Sequence, residues 1–115
     1  MAFNYSISDA SDAKVIHLSG TLLDKGQALA MLEELTELMD DGNIHVVLSM
    51  TDFQYINSTG LNVLINILTK ARKLGGEAII TSVPPKINEL LLITKLNMVF
   101  TVTSTLEEAL LKFKR

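Results

Sequence analysis

Side chains able to do chemistry are sparse in this sequence, and what is missing narrows the field first. There is no cysteine, which excludes thiolate catalysis, iron–sulfur clusters, cysteine zinc sites and disulfides. The two histidines, His17 and His45, leave little for a histidine metal site, and both sit among apolar neighbours in strand-like runs. No metal and no cofactor is expected. Neither G-x-x-x-x-G-K-[ST] nor G-x-G-x-x-G occurs, so phosphate-cradling nucleotide folds have no support. Ser58 lacks the G-x-S-x-G elbow of a hydrolase nucleophile, and a small hydrolase using Ser58 is the weakest reading. The carboxylates gather between Glu33 and Asp41, the pattern of a solvated helix face.

What remains is Tyr55-Ile56-Asn57-Ser58-Thr59-Gly60-Leu61, a hydroxyl-bearing junction between a strand and a largely apolar helix. The helix spans Ser58 to Leu74. Leu61, Leu64, Ile65 and Leu68 form its apolar face, widened by Val63, Ile67 and Ala71. At ~3.6 residues per turn, Ser58, Asn62, Asn66, Thr69, Lys70 and Lys73 fall within roughly 120° of one another. Most of this helix is therefore buried, and Ser58 stands at the N-terminal end of its one exposed stripe. Ser, Thr and Asn are favoured helix caps, so a capping role for Ser58 competes with any chemical one.

The flanking elements follow from periodicity. Phe3, Tyr5 and Ile7 alternate with polar residues, as in a half-buried strand; Ser8 to Asp12 is a turn cluster. Val15 to Leu18 is a second strand that completes a hairpin and stops at Gly20. Asp24 with Gln27 forms a capping box, which makes a helix cap the simplest role for Asp24. Ala28, Leu32, Leu35 and Met39 then keep helical spacing up to Gly42, while Met31, Met39 and Met50 read as core. His45 to Met50 is a buried strand. Gly75-Gly76 closes the central helix, Ala78 to Val83 is a strand, and Pro84-Pro85 starts a helix through Ile93. Val99 to Val102 is a last strand. Ser104 to Glu107 is a second capping box, and its helix ends in Lys112, Lys114 and Arg115. These elements predict one α/β domain over residues 1–115: a mixed sheet of four or five strands, with about four helices mainly on one face.

Composition removes further classes. The 115 residues carry 10 Lys+Arg against 13 Asp+Glu, a net charge of −3, which disfavours direct nucleic-acid binding. With 5% aromatic residues and no Trp, stacking platforms for bases are absent too. No apolar run reaches the ~20 residues of a membrane span, and Met1 to Ser6 lacks a signal peptide's basic start. A cytoplasmic protein is expected.

The stretch from Asp52 to Leu61, Asp-Phe-Gln-Tyr-Ile-Asn-Ser-Thr-Gly-Leu, resembles the signature of the anti-sigma factor antagonists of the STAS family. Gly20, Gly75-Gly76, Pro84-Pro85 and Thr94 through Leu96 to Phe100 recur in similar order, so the resemblance covers most of the chain. It implies a STAS-type fold and a binding module of transcription regulation, not an enzyme. The serine matching Ser58 is phosphorylated in that family by a serine kinase that is itself the anti-sigma factor. The unphosphorylated form binds the kinase and frees the sigma factor, and a serine phosphatase resets the switch. The resemblance thus implies Ser58 as a phosphorylation site, and Asp24, Asn57, Ser58, Thr59, Gly60 and Asn62 as partner contacts. Asn57 stands where the family has Asp, and Asp24 matches its Gly-Glu-Leu-Asp stretch only with one inserted residue. The alternative is a structural STAS subunit of a signalling scaffold or of a lipid or anion transporter complex.

Overall fold

The computed structural model of the protein describes residues 2–113. Lys114 and Arg115, expected to close the last helix, lie outside the described residues, as does Met1. Five strands form one sheet in the order β1 to β5: β1 (Phe3–Ala10), β2 (Ala13–Leu22), β3 (His45–Ile56), β4 (Glu77–Thr81) and β5 (Thr101–Thr103). The β1–β2 pair is antiparallel and the other three pairs are parallel, so the sheet is mixed as expected. Each parallel connection carries a helix: α1 (Leu29–Asp40), α2 (Ser58–Lys73) and α3 (Pro85–Ile93). A fourth, α4 (Leu106–Lys112), follows β5.

Three helices cover one face and α4 covers part of the other. Met31 and Leu35 of α1, Leu64 and Leu68 of α2, and Ile87 and Leu91 of α3 share a core with Ile16, Leu48 and Ile80. On the opposite face Ala109 of α4 packs with Ala13, Val15, Val47 and Ile79. Residues 46–48 are apolar without alternation for this reason, since the middle of β3 is covered on both sides. Met31, Met39 and Met50 are all core residues.

Several boundaries differ from the periodicity, each for a non-local reason. The turn is Ser11-Asp12 alone; Ser8, Asp9 and Ala10 belong to β1 and pair with Val15, Lys14 and Ala13. Lys14 and Asp9 form an ion pair across the two strands. Gly20 does not end β2. It sits at φ +84 inside the strand, beside a register shift, and a Cβ there would meet the Ala2 carbonyl oxygen at 1.8 Å. The glycine is needed for a bulge and a close approach, and the strand continues past it to Leu22. That extension gives β3 a partner as far as Leu22↔Ile56, so β3 outruns the expected Met50 by six residues. β4 stops at Thr81 because Ser82 adopts φ 58. β5 begins at Thr101, after a 3-10 turn over Leu96–Met98 that periodicity did not indicate. The second capping box is Thr105 with Glu108, one residue beyond the expected pair.

Candidate functional site

The carboxyl ends of β2 and β3 hold the junction around Ser58. Asn57, in extended conformation, is the N-cap of α2: its Oδ1 accepts the Gly60 N–H at 2.9 Å. Its Nδ2 donates to the Leu23 carbonyl at 2.9 Å, and its backbone N–H donates to the Leu22 carbonyl at 3.4 Å. One side chain thus caps the helix and ties it to a segment 34 residues earlier. Ser58 and Thr59 are the first two residues of the helix and are exposed. Because Asn57 is the cap, the Ser58 hydroxyl is released from that duty, and it has no hydrogen bond among the described residues.

On the β2 side, Asp24 caps a 3-10 turn over Lys25–Ala28, its Oδ1 accepting the Gln27 N–H at 3.0 Å. Gln27 Oε1 in turn accepts the N–H groups of Leu23 at 2.7 Å and Asp24 at 3.1 Å. The complete box foreseen for Asp24 is present. Through the Asn57–Leu23 bond, this capped turn is held beside the start of α2. The structure therefore gathers Asp24, Asn57, Ser58 and Thr59 at one end of the sheet, with Asn62 exposed one turn along α2.

Gly60 is different from its expected role as a partner contact. It is buried, and a Cβ there would lie 2.5 Å from the Leu22 carbonyl oxygen and 2.6 Å from Ile56 Cγ1. Its lack of a side chain lets α2 seat against the end of β2, which makes it a packing position under the site.

Two exposed apolar residues complete the surface. Leu23 is 44% exposed and Tyr55 47% exposed. Tyr55 also lines a notch of about 260 Å³ between the end of β3 and α3, with Ile87, Leu90, Lys86 and Glu89. The available signal for Leu23 was an apolar residue in a capped, otherwise polar turn; for Tyr55 it was an aromatic beside the motif. Neither histidine joins this site. His45 opens β3 and stacks on Phe113 at 4.6 Å, whereas Ser58 follows the far end of that strand. His17 is mid-strand in β2, its Nε2 3.2 Å from Ser8 Oγ.

With this geometry in hand, the comparisons with known proteins are specific. The model of the STAS domain family matches residues 5–109. The chain belongs to the STAS domain family. This STAS domain is 27% identical over 106 residues to a Bordetella bronchiseptica relative named as the anti-sigma factor antagonist BtrV, covering 92% of this chain and 91% of the relative. Its fold is similar to that of an anti-sigma factor antagonist from Mycobacterium paratuberculosis, with TM-score 0.84 at 21% identity over 99% and 96% of the two chains. It is also similar in fold to the Bacillus cell fate determinant SpoIIAA in its phosphorylated form, with TM-score 0.72 at 17% identity over 98% and 100% of the chains. No helix among the described residues is long and apolar enough to cross a membrane.

Asn57 can be tested by stability. Asn57→Ala removes the cap and the bond to Leu23, and is expected to cost about 1–2 kcal/mol in urea denaturation. Asn57→Asp keeps the acceptor and loses only the donor. A carboxylate at a helix N-terminus is favourable by ~0.3–1 kcal/mol, which offsets much of that loss, so the variant should stay within about 1 kcal/mol of the parent.

Proposed function

We propose that this STAS domain, taken as residues 1–115, is an anti-sigma factor antagonist switched by phosphorylation of Ser58. Unphosphorylated, it docks on an anti-sigma factor serine kinase in the cytoplasm and frees the sigma factor; a serine phosphatase restores it after modification. The observation that carries this reading is the placement of Ser58: exposed, at the first position of a buried 16-residue helix, with its hydroxyl unbonded because Asn57 does the capping. The docking surface comprises Asp24, Asn57, Ser58, Thr59 and Asn62, framed by the apolar Leu23 and Tyr55.

The fold tolerates a phosphate at this position. The N–H groups of Ser58 and Thr59 have no acceptor within the helix, and the N-terminal end of α2 carries partial positive charge. A phosphate therefore changes the surface without unfolding what lies beneath it. The same ~−2 charge in a flat, desolvated interface is costly, which is how it blocks docking. The role is binding and not catalysis, since the histidines sit away from Ser58 and the elbow of a hydrolase nucleophile is lacking. The Bordetella bronchiseptica relative, named as an anti-sigma factor antagonist, supports the assignment over nearly the whole chain.

The direct test is incubation with the partner kinase and ATP, followed by intact mass and peptide mapping. One phosphate on Ser58 is expected, and none on Ser58→Ala. Equal labelling of Ser58→Ala would place the modification elsewhere and remove the switch. Ser58→Ala itself should unfold within ~0.5 kcal/mol of the parent, because the exposed hydroxyl is neither cap nor core.

A further inference from the structure

Away from the Ser58 surface, the structure leaves the long outer strand of the sheet open. β1 is the edge, and its register with β2 runs without interruption from Phe3↔Gly20 to Ala10↔Ala13. Ala10 and Ala13 close a two-residue loop, so they exchange both backbone hydrogen bonds. In an antiparallel ladder such pairs alternate with non-bonded ones. The N–H and C=O groups of Phe3, Tyr5, Ile7 and Asp9 therefore point outward, away from β2. They have no partner among the described residues. Edge strands are ordinarily blunted by proline, lysine or a bulge, and β1 contains none of these.

The flank of α1 beside this edge is acidic. Tyr5 Oη donates to Glu34 Oε1 at 2.8 Å, which places Glu34 over β1. The Glu34 carboxylate, by that bond first and then with burial and its charge, raises the Tyr5 phenol above its usual pKa. Asp40 marks the opposite flank, since it pairs with Lys70 of α2 at 2.9 Å. At about 100° per residue, Asp41 falls about 20° from Glu34, whereas Glu37 falls about 60° from both Glu34 and Asp40. Glu34 and Asp41, the carboxylates of this flank, are exposed and have no ion pair among the described residues. Lys14, the base on the neighbouring strand, is already paired with Asp9.

We propose that the β1 edge takes an extended, Lys- or Arg-bearing segment of a partner protein, added as a sixth strand beneath the acidic flank of α1. Main-chain bonds to Phe3, Tyr5, Ile7 and Asp9 supply the attachment. Apolar side chains of the segment extend the half-buried row of Phe3, Tyr5 and Ile7, and its basic side chains meet Glu34 and Asp41. A second copy of this chain fits the same edge poorly. Antiparallel pairing of β1 with its twin would bring two acidic α1 flanks together across the two-fold axis.

The test uses two synthetic eight-residue peptides. One carries Val and Lys on one face with Thr on the other; its counterpart has Glu in place of Lys. At roughly tenfold excess over its dissociation constant, the Lys peptide should slow amide exchange of Tyr5 and Ile7 by about tenfold, while Ser6 and Ser8, already bonded to β2, change little. The Glu peptide should leave all four unchanged. The double variant Glu34→Lys, Asp41→Lys should exchange the two preferences. Ile7→Pro should abolish protection, since it removes an outward donor and leaves the ladder to β2 intact; Asp9→Pro, outside the core, repeats that test if Ile7→Pro unfolds. Protection by neither peptide, or by both equally, overturns the proposal. So does self-association that protects Tyr5 and Ile7 without peptide.

Discussion

Phosphorylated Ser58 is expected to weaken the anti-sigma factor complex roughly 30- to 1,000-fold, or about 2–4 kcal/mol, while the protein melts where it did before. The two effects separate because the phosphate meets two different surroundings. Within the domain it lies at the first turn of α2, beside N–H groups that have no helical acceptor. Against a partner, it must lose water among Leu23, Tyr55 and Asn62, a surface with no basic side chain in the motif to pair it. Ser58→Asp carries half the charge and should move binding in the same direction by less, with stability unchanged or slightly raised. Ser58→Ala should bind like the parent and keep binding when kinase and ATP are present. Titration of the partner against the parent, the phosphorylated protein and both variants, with thermal melts alongside, checks all four expectations. Full binding by the phosphorylated protein would falsify the switch outright, because no argument about an imperfect mimic applies to it.

Gly60→Val should lower stability by about 2–3 kcal/mol, a drop in melting temperature on the order of 10 °C. A Cβ at this position lies 2.5 Å from the Leu22 carbonyl oxygen, and backbone cannot swing aside as a side-chain end can. Either α2 lifts away from β2 or the chain between Leu22 and Asp24 is displaced. Both movements strain the Asn57–Leu23 bond, so partner binding should fall together with stability. Gly60→Ala makes the same contact but recovers ~1 kcal/mol of helix propensity, and should lie between Gly60→Val and the parent. Thr59→Ala, one residue away and exposed, is the control and should melt normally. If Gly60→Val melted like Thr59→Ala, the seating of α2 against β2 would be looser than its geometry implies.

The candidate site was legible in part. Ser58 stands where helical spacing put it, at the exposed N-terminal end of the apolar helix, and the Asp24–Gln27 box is intact. The cap, however, is Asn57 and not Ser58, and only that assignment leaves the Ser58 hydroxyl free. Gly60 sits in the same short motif as the exposed residues, yet it faces inward. Nothing in a run of seven residues distinguishes a glycine that a partner touches from one that a neighbouring strand touches.

That difference has a physical basis. Caps and amphipathic faces are decided by residues three or four positions apart, through hydrogen bonds and burial that a helix makes with itself. The sequence alone therefore determined the α/β order of elements, the buried central helix and the position of Ser58 at its start. The extension of β2 through Gly20, the matching length of β3, the Asn57–Leu23 tie and the burial of Gly60 all depend on backbone groups brought together from distant segments. So does the acidic flank over β1, where Glu34 of α1 meets Tyr5 from 29 residues earlier. Contacts of this kind have no local period to read, because their partners are chosen by how sheet and helices pack. Tertiary structure alone decided them.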